Sequence, residues 1–115
     1  ANPRPGREST LFVRYGDLLT WLTTRTRSFP REQRFVLANR ILDTAYACYS
    51  GLVRAKKVPP AARAVALLEA DIQLDVLRLQ LRMAQELGCL STKQYEYGSR
   101  LVNEVGRMLG AWRSR

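Results

Sequence analysis

The chain has 115 residues, of which 46% are hydrophobic, so it is long enough and apolar enough for one folded domain with its own core. Sixteen arginines and three lysines oppose ten carboxylates, and the resulting net charge of +9 favours a polyanionic partner, nucleic acid before an anionic membrane surface. Histidine, the commonest general base and zinc ligand, is absent, and no apolar run is long enough to span a membrane or marks a secretory signal. We therefore expect a cytoplasmic binding protein that is not an enzyme, with no cofactor, no metal and no membrane partner.

The N-terminal residues 1–9 contain two prolines, a glycine and two arginines and predict a flexible basic arm ahead of a folded domain over residues 10–115. From Leu11 to Leu22, apolar residues recur at helical spacing and predict the first helix. Ser28 is expected to cap the second helix, with Pro30 in its first turn.

The second helix is predicted from about Arg31 to Lys57, where Pro59-Pro60 ends it. Its apolar face steps by three and four residues through Phe35, Ala38, Leu42, Ala45, Tyr49 and Leu52. The aromatic residues at helical spacing are expected in the core, and they are Trp21, Phe35, Tyr46 and Tyr49. Base stacking on Tyr95 or Tyr97 is not favoured.

The third helix is predicted from about Ala61 to Leu87, ended by Gly88, and it has two apolar stripes roughly 160° apart. One stripe comprises Val65, Leu68, Ile72, Val76, Leu79, Met83 and Leu87. The other comprises Leu67, Ala70, Leu74, Leu77, Leu81 and Ala84. A helix of a small monomeric bundle needs one apolar side, so we assign the second stripe to a subunit interface, with a central helix packed on both sides as the alternative.

The fourth helix is predicted from a capping box at Ser91 and Gln94 to about Arg113, with Val102, Val105, Leu109 and Trp112 on one side. No strand or hairpin pattern occurs in the sequence. The fold class is therefore all-α, an up-down-up-down four-helix bundle.

The basic residues concentrate at the first helix connection and along the second helix. Arg40 and Arg54 are about 21 Å apart along a helix, a span suited to following a phosphate backbone. The candidate nucleic-acid-binding residues are Arg25, Arg27, Arg31, Arg34, Arg40, Arg54, Lys56 and Lys57. Each arginine taken singly is also compatible with an ordinary solvated surface.

The acidic and sulfur-containing residues give no support to catalysis or metal binding. Asp71 and Asp75 share a helix face, but carboxylate sites in bundles also use histidine, so ion pairs with Arg78 and Arg82 explain them better. Two isolated cysteines are expected to be reduced and buried, although a disulfide between them stays open.

The closing segment Glu104-Val105-Gly106-Arg107-Met108-Leu109-Gly110-Ala111-Trp112 resembles the C-terminal signature of the accessory variability determinant proteins of diversity-generating retroelements. The upstream pairs Ala70-Asp71, Leu77-Arg78 and Leu81-Arg82 resemble the same family. The segment from Phe29 to Leu37 is similar to the wider superfamily of 23S ribosomal RNA intervening-sequence proteins, but residues 44–51 lack that branch's usual continuation. The motif residues are thus Arg78, Arg82, Gly106, Arg107, Gly110 and Trp112.

The resemblance implies a bundle that assembles into a basic pentameric barrel, binds RNA or DNA and a reverse transcriptase, and supports mutagenic retrohoming without catalytic activity of its own. Gly106 and Gly110, four residues apart, are expected to admit another helix closely, or else to mark loose local packing. Two alternatives remain: a stand-alone RNA-binding bundle related to the intervening-sequence proteins, and a structural assembly protein with an acidic protein partner.

Overall fold

The computed structural model describes the backbone of residues 7–115 and the side chains from residue 9 onward. Helix α1 spans Arg7–Arg27. Helix α2 begins as an α-helix at Arg31–Gln33, passes through a π-helical segment at Arg34–Ala38 and continues as an α-helix over Asn39–Lys57. Of the predicted basic arm, residues 1–6 lie outside the described residues, and residues 7–9 already belong to α1.

The second half of the chain forms a matching pair of helices. A 3-10 turn at Pro60–Ala62 leads into helix α3, Arg63–Glu86, and helix α4 spans Thr92–Arg113. Short connections make successive helices antiparallel; α3 packs on α2 and on α4, while α1 packs on α4 and on α2. The described residues contain no strand, and they form the predicted four-helix bundle, with extents of 46 × 30 × 19 Å.

Local sequence signals explain the ends of most helices. Gly88 follows α3 with a φ of +80°, a conformation that a residue with a Cβ rarely adopts, so the helix stops there as predicted. The capping box at the start of α4 is confirmed, since the Ser91 hydroxyl accepts from the Gln94 N–H and the Gln94 side chain accepts from the Ser91 N–H. The start of α2 differs from the prediction: Pro30 itself is the N-cap residue, and no side chain, Ser28 included, caps the helix.

Two aromatic side chains lie outside the core, contrary to the prediction, and the π-helical segment accounts for one of them. The Asn39 N–H bonds to the Arg34 carbonyl, five residues back, so this turn holds one residue more than an α-helical turn. Apolar residues before the segment therefore fall out of line with those after it, and Phe35 is 77% exposed rather than buried. Tyr46, beyond the segment, lies outside the buried arc and is 54% exposed. Trp21 and Tyr49 are half-buried and pack against the core as expected.

The tightest helix contact is between α2 and α3, and small residues create it. A Cβ added to Gly51 would lie 3.1 Å from the Ala70 Cβ and 3.2 Å from the Ala66 carbonyl oxygen. The two backbones can come this close because neither side carries a large side chain at the crossing. This approach determines which face of α3 turns inward.

Two buried polar side chains lie where α1 meets α2. The Tyr15 hydroxyl donates to the Ala45 carbonyl at 2.5 Å, and Cys48 is fully buried one turn further along α2. Burial raises the pKa of the Tyr15 hydroxyl, and it raises the pKa of the Cys48 thiol to about 11. Cys48 and Cys89 are both free thiols, and Cys89 is half-buried rather than buried as predicted.

Candidate functional site

The outward face of α3 carries a continuous apolar surface, which we call the outer stripe. Its seven large side chains are each between 40% and 65% exposed, and they are Val65, Leu68, Ile72, Val76, Leu79, Met83 and Leu87. From first to last they extend about 33 Å along the helix. Single exposed apolar residues are normal on a protein surface, but a continuous row of this length is typical of a contact surface.

The stripe that the sequence analysis assigned to a subunit interface is instead intramolecular core, so that assignment is wrong. Its six members are each at most 2% exposed, and they are Leu67, Ala70, Leu74, Leu77, Leu81 and Ala84. They face inward because Ala70, with Ala66 one turn earlier, meets Gly51 at the close crossing with α2. The sequence correctly predicts that one apolar side of this helix has no partner within the chain. That side is the outer stripe and not the stripe that was assigned to the interface.

Polar contacts with α2 border the outer stripe on one side. The Arg54 guanidinium bonds to the Glu69 carboxylate at 2.9 Å, and the Gln80 amide donates to the Arg40 backbone carbonyl at 3.5 Å. These exposed contacts accompany the close crossing at Gly51, which sets the orientation of α3 against α2. Arg54 is therefore balanced by an acid, which weakens the prediction that it is available to phosphates.

On the other side of the stripe, ion pairs border the contact between α3 and α4. Arg113 bonds to Asp71 at 3.0 Å, and Arg78 bonds to Asp75 at 2.5 Å. The predicted partnership of Asp75 with Arg78 is confirmed. Arg82 makes no ion pair within the part of the chain that the structure describes, and Asp71 pairs with Arg113 instead.

Four of the eight predicted nucleic-acid-binding residues flank the first helix connection. These four, which we call the arginine end, are Arg25 and Arg27 in the last turn of α1 and Arg31 and Arg34 at the start of α2. Arg34 donates to the Phe29 carbonyl at 3.1 Å. None of the four forms an ion pair with any of the side chains described, those of residues 9–115.

The other four predicted residues are spread along α2. Arg40 is exposed on its outer side, and Arg54 is paired as described above. Lys56 lies over the Phe12 ring, 5.2 Å from its centroid, and Lys57 is exposed in the same last turn. These two lysines are about 39 Å from Arg31 along the helix, at the opposite end of the bundle from the arginine end.

The motif residues near the C-terminus are structural in their observed contacts. A Cβ added to Gly106 would lie 2.5 Å from Nη2 of Arg78, so the glycine makes room for this half-buried guanidinium between α3 and α4. Gly110 is exposed, and nothing in the described residues lies within 4 Å of where its Cβ would be, so the predicted close helix approach is not observed there. Trp112 is buried, with the Arg63 guanidinium 5.8 Å from its ring centroid, while Arg107 is exposed.

A basic and aromatic groove between α1 and α4 was not predicted. It has a volume of about 740 Å³, and Trp21, Tyr97, Arg25 and Lys93 are among the residues that line it. Its parts are about 70 residues apart in the sequence, so only the packing of α1 on α4 reveals it. Its aromatic lining includes Tyr97, on which the sequence did not favour base stacking and whose side chain is 47% exposed.

Comparison with known proteins gives one clear result. The family model described as bAvd-like matches residues 10–115, which is nearly the whole chain. The comparison with curated proteins gives no match. None of the described helices combines the length and apolar character needed to cross a bilayer.

Proposed function

The chain belongs to the bAvd-like family, and from this premise we propose that it is a non-enzymatic accessory protein of a diversity-generating retroelement. In this role it binds RNA or DNA together with a reverse transcriptase and supports mutagenic retrohoming. The observation that carries the proposal is the family match over residues 10–115, which agrees with the resemblance of the closing Gly106 to Trp112 segment.

The outer stripe supports assembly into a homo-oligomer as part of this function. A lone subunit leaves seven large apolar side chains of α3 exposed to water. Contact with another copy removes this apolar surface from water, which is favourable. The segment 59–88 carries three basic and four acidic residues, so it is the part of this basic protein where copies repel least. A pentamer is the subunit number that the resemblance implies.

The arginine end supports nucleic-acid binding. Arg25, Arg27, Arg31 and Arg34 lie at one end of the bundle without bonded carboxylates in the described chain, and a guanidinium binds phosphate oxygens in a planar, two-pronged geometry. Assembly multiplies this basic end by the number of subunits, which strengthens binding to a long polyanion. The reverse transcriptase partner follows from the family alone.

The test of nucleic-acid binding is its salt dependence. We expect the affinity for RNA or single-stranded DNA, measured by fluorescence anisotropy, to fall by roughly 10³-fold between low and physiological salt. The double variant Arg27→Ala/Arg31→Ala should flatten the plot of log affinity against log salt by about 1.5 units, because two phosphate contacts are lost.

A matched control removes the same charge from paired positions. In Arg54→Ala/Arg113→Ala, both arginines are bonded to carboxylates in the folded protein, so the salt slope should change much less. Equal slopes for the two double variants would count against the arginine end. A separate test asks whether the protein co-purifies with a reverse transcriptase encoded beside its gene, and its failure to do so would remove the retroelement assignment.

A further inference from the structure

The groove between α1 and α4 combines features that suit an unpaired nucleotide. The Trp21 ring rests against the α4 backbone at Gly98, where an added Cβ would lie 2.6 Å from Cζ3 of the ring. The exposed Tyr97, the residue before Gly98 on α4, has its ring centroid 6.0 Å from that of Trp21, with the planes inclined by 42°. The groove therefore has an aromatic floor on a rigid helix pair.

Two cationic side chains, Arg25 and Lys93, also line the groove. Arg25 is half-buried and Lys93 is exposed, and neither bonds a carboxylate within residues 9–115. A guanidinium that has no carboxylate partner keeps its donors available for phosphate oxygens. The two carboxylates along this surface, Asp17 and Glu104, are both held by Arg14, at 3.3 and 2.9 Å.

The basic surface continues beyond the groove along α4. A second depression shares Tyr97 and Leu101 with the groove and is also lined by Arg100 and Arg107. The Arg100 guanidinium lies 5.8 Å from the Tyr97 ring centroid, so a cation already covers part of that ring. Cations thus lie on both sides of the aromatic pair along the direction of the helix.

We propose that this groove binds single-stranded nucleic acid, with a base stacked on Tyr97 and Trp21 and the flanking phosphates on Arg25, Lys93 and Arg100. The inference rests on the nucleic-acid binding proposed above and names the site and the strand type. Aromatic floors with basic borders bind single strands because every base has a flat π face, whereas a duplex keeps its base faces hidden. The groove volume of about 740 Å³ falls within the range of roughly 300–1,000 Å³ usual for small-molecule sites.

The groove is also independent of the outer stripe. It lies between α1 and α4, whereas the stripe is on the side of α3 that faces away from the bundle. Helix α3 packs on α2 and α4, diagonally across from α1. A subunit contact through the outer stripe therefore leaves the groove open to a strand.

The affinity test compares two exposed tyrosines in the 115-residue chain. Tyr97→Ala should weaken binding of a labelled deoxythymidine oligonucleotide of about twelve residues by roughly tenfold, because a stacking surface is lost. Tyr46→Ala is the matched control, since Tyr46 is similarly exposed but lies on α2, outside the groove. It should leave the affinity within about twofold.

A fluorescence test places the base. The chain has two tryptophans, so Trp112→Phe leaves Trp21 as the only one. The oligonucleotide should quench its emission, whereas an abasic strand of the same charge, a duplex and polyglutamate should not. The anisotropy comparison of Tyr97→Ala with Tyr46→Ala does not depend on whether the Trp112 variant folds.

The outcomes separate this site from the function on which it rests. If the protein binds nucleic acid but Tyr97→Ala and Tyr46→Ala behave alike, the groove proposal is overturned and the arginine end stands. Equal binding of the abasic strand would overturn base stacking, and equal competition by polyglutamate without quenching would assign the groove to an acidic protein. If no nucleic acid binds at any salt concentration, both proposals fail.

Discussion

Cys48 shows how burial sets the chemistry of a single residue. Its thiol is fully buried beside Tyr15, and desolvation raises its pKa from an ordinary value of 9.0 to about 11. The thiolate is the reactive form of cysteine, so this thiol is chemically inert at neutral pH. Its observed role is to fill space between α1 and α2.

The Cys48 shift predicts a loss of stability in alkaline solution. Between about pH 9 and 11 the unfolded chain gives up the thiol proton while the folded chain retains it, so the free energy of unfolding falls as pH rises. The full shift corresponds to about 3 kcal/mol. Tyr15, whose pKa is also raised, acts in the same direction. Urea unfolding from pH 8 to 11 should show a shallower decline for Cys48→Ala than for the unaltered protein, and parallel curves would contradict this.

The burial of individual residues was predictable at several positions of the regular helices, but Tyr46 shows that a regular helix alone does not ensure it. Tyr15 and Trp112 fall on uninterrupted helical faces, and both are buried as their spacing predicts. Phe35 has equally good spacing but lies in the π-helical segment, which rotates it out of the core. Composition and periodicity do not encode one extra residue in a turn, so this error could not be avoided from the sequence.

At the scale of elements, the capping box of Ser91 and Gln94 is expected to stabilise the start of α4. Ser91→Ala removes the hydroxyl that accepts from the Gln94 N–H and should lower the free energy of unfolding by about 1 kcal/mol. Thermal or urea unfolding measures the change. Thr92→Ala, one residue later and equally exposed, is the control and should cost clearly less. Similar losses for both variants would mean that the capping box is not the source of stability.

The apolar pattern of helix α3 does not predict which of its two apolar faces is buried. The two apolar stripes are evident in the sequence, but their total hydrophobicity does not say which one is buried. The deciding signal is side-chain size: the buried face contains Ala66 and Ala70, which admit Gly51 of α2, whereas the outer stripe has no residue smaller than valine. Apolarity and spacing, on which the predicted subunit interface rests, do not distinguish the two faces, and the predicted face is the wrong one.

At the scale of the whole molecule, the two apolar faces of α3 should respond differently when a carboxylate is introduced by substitution. Ile72→Asp/Val76→Asp changes exposed residues, so it should reduce the mass in light scattering to that of a 13.1 kDa monomer while the helical circular dichroism is kept. Leu74→Asp places a carboxylate in the core and should unfold the chain instead. An unchanged mass for the outer-stripe variant would mean that copies meet through another surface.

The location of the outer stripe on a single helix has a geometric consequence for assembly. If the outer stripe of one copy packed on the outer stripe of a second copy, a twofold axis would relate the two chains, and assembly would stop at a dimer. A closed ring of five needs two unlike patches per chain, so that each copy offers one to its left neighbour and the other to its right. Phe35 and Val36, at the π-helical turn, are 77% and 64% exposed, and they are adjacent large apolar side chains outside α3. The irregular turn thereby supplies the kind of second patch that a cyclic arrangement demands.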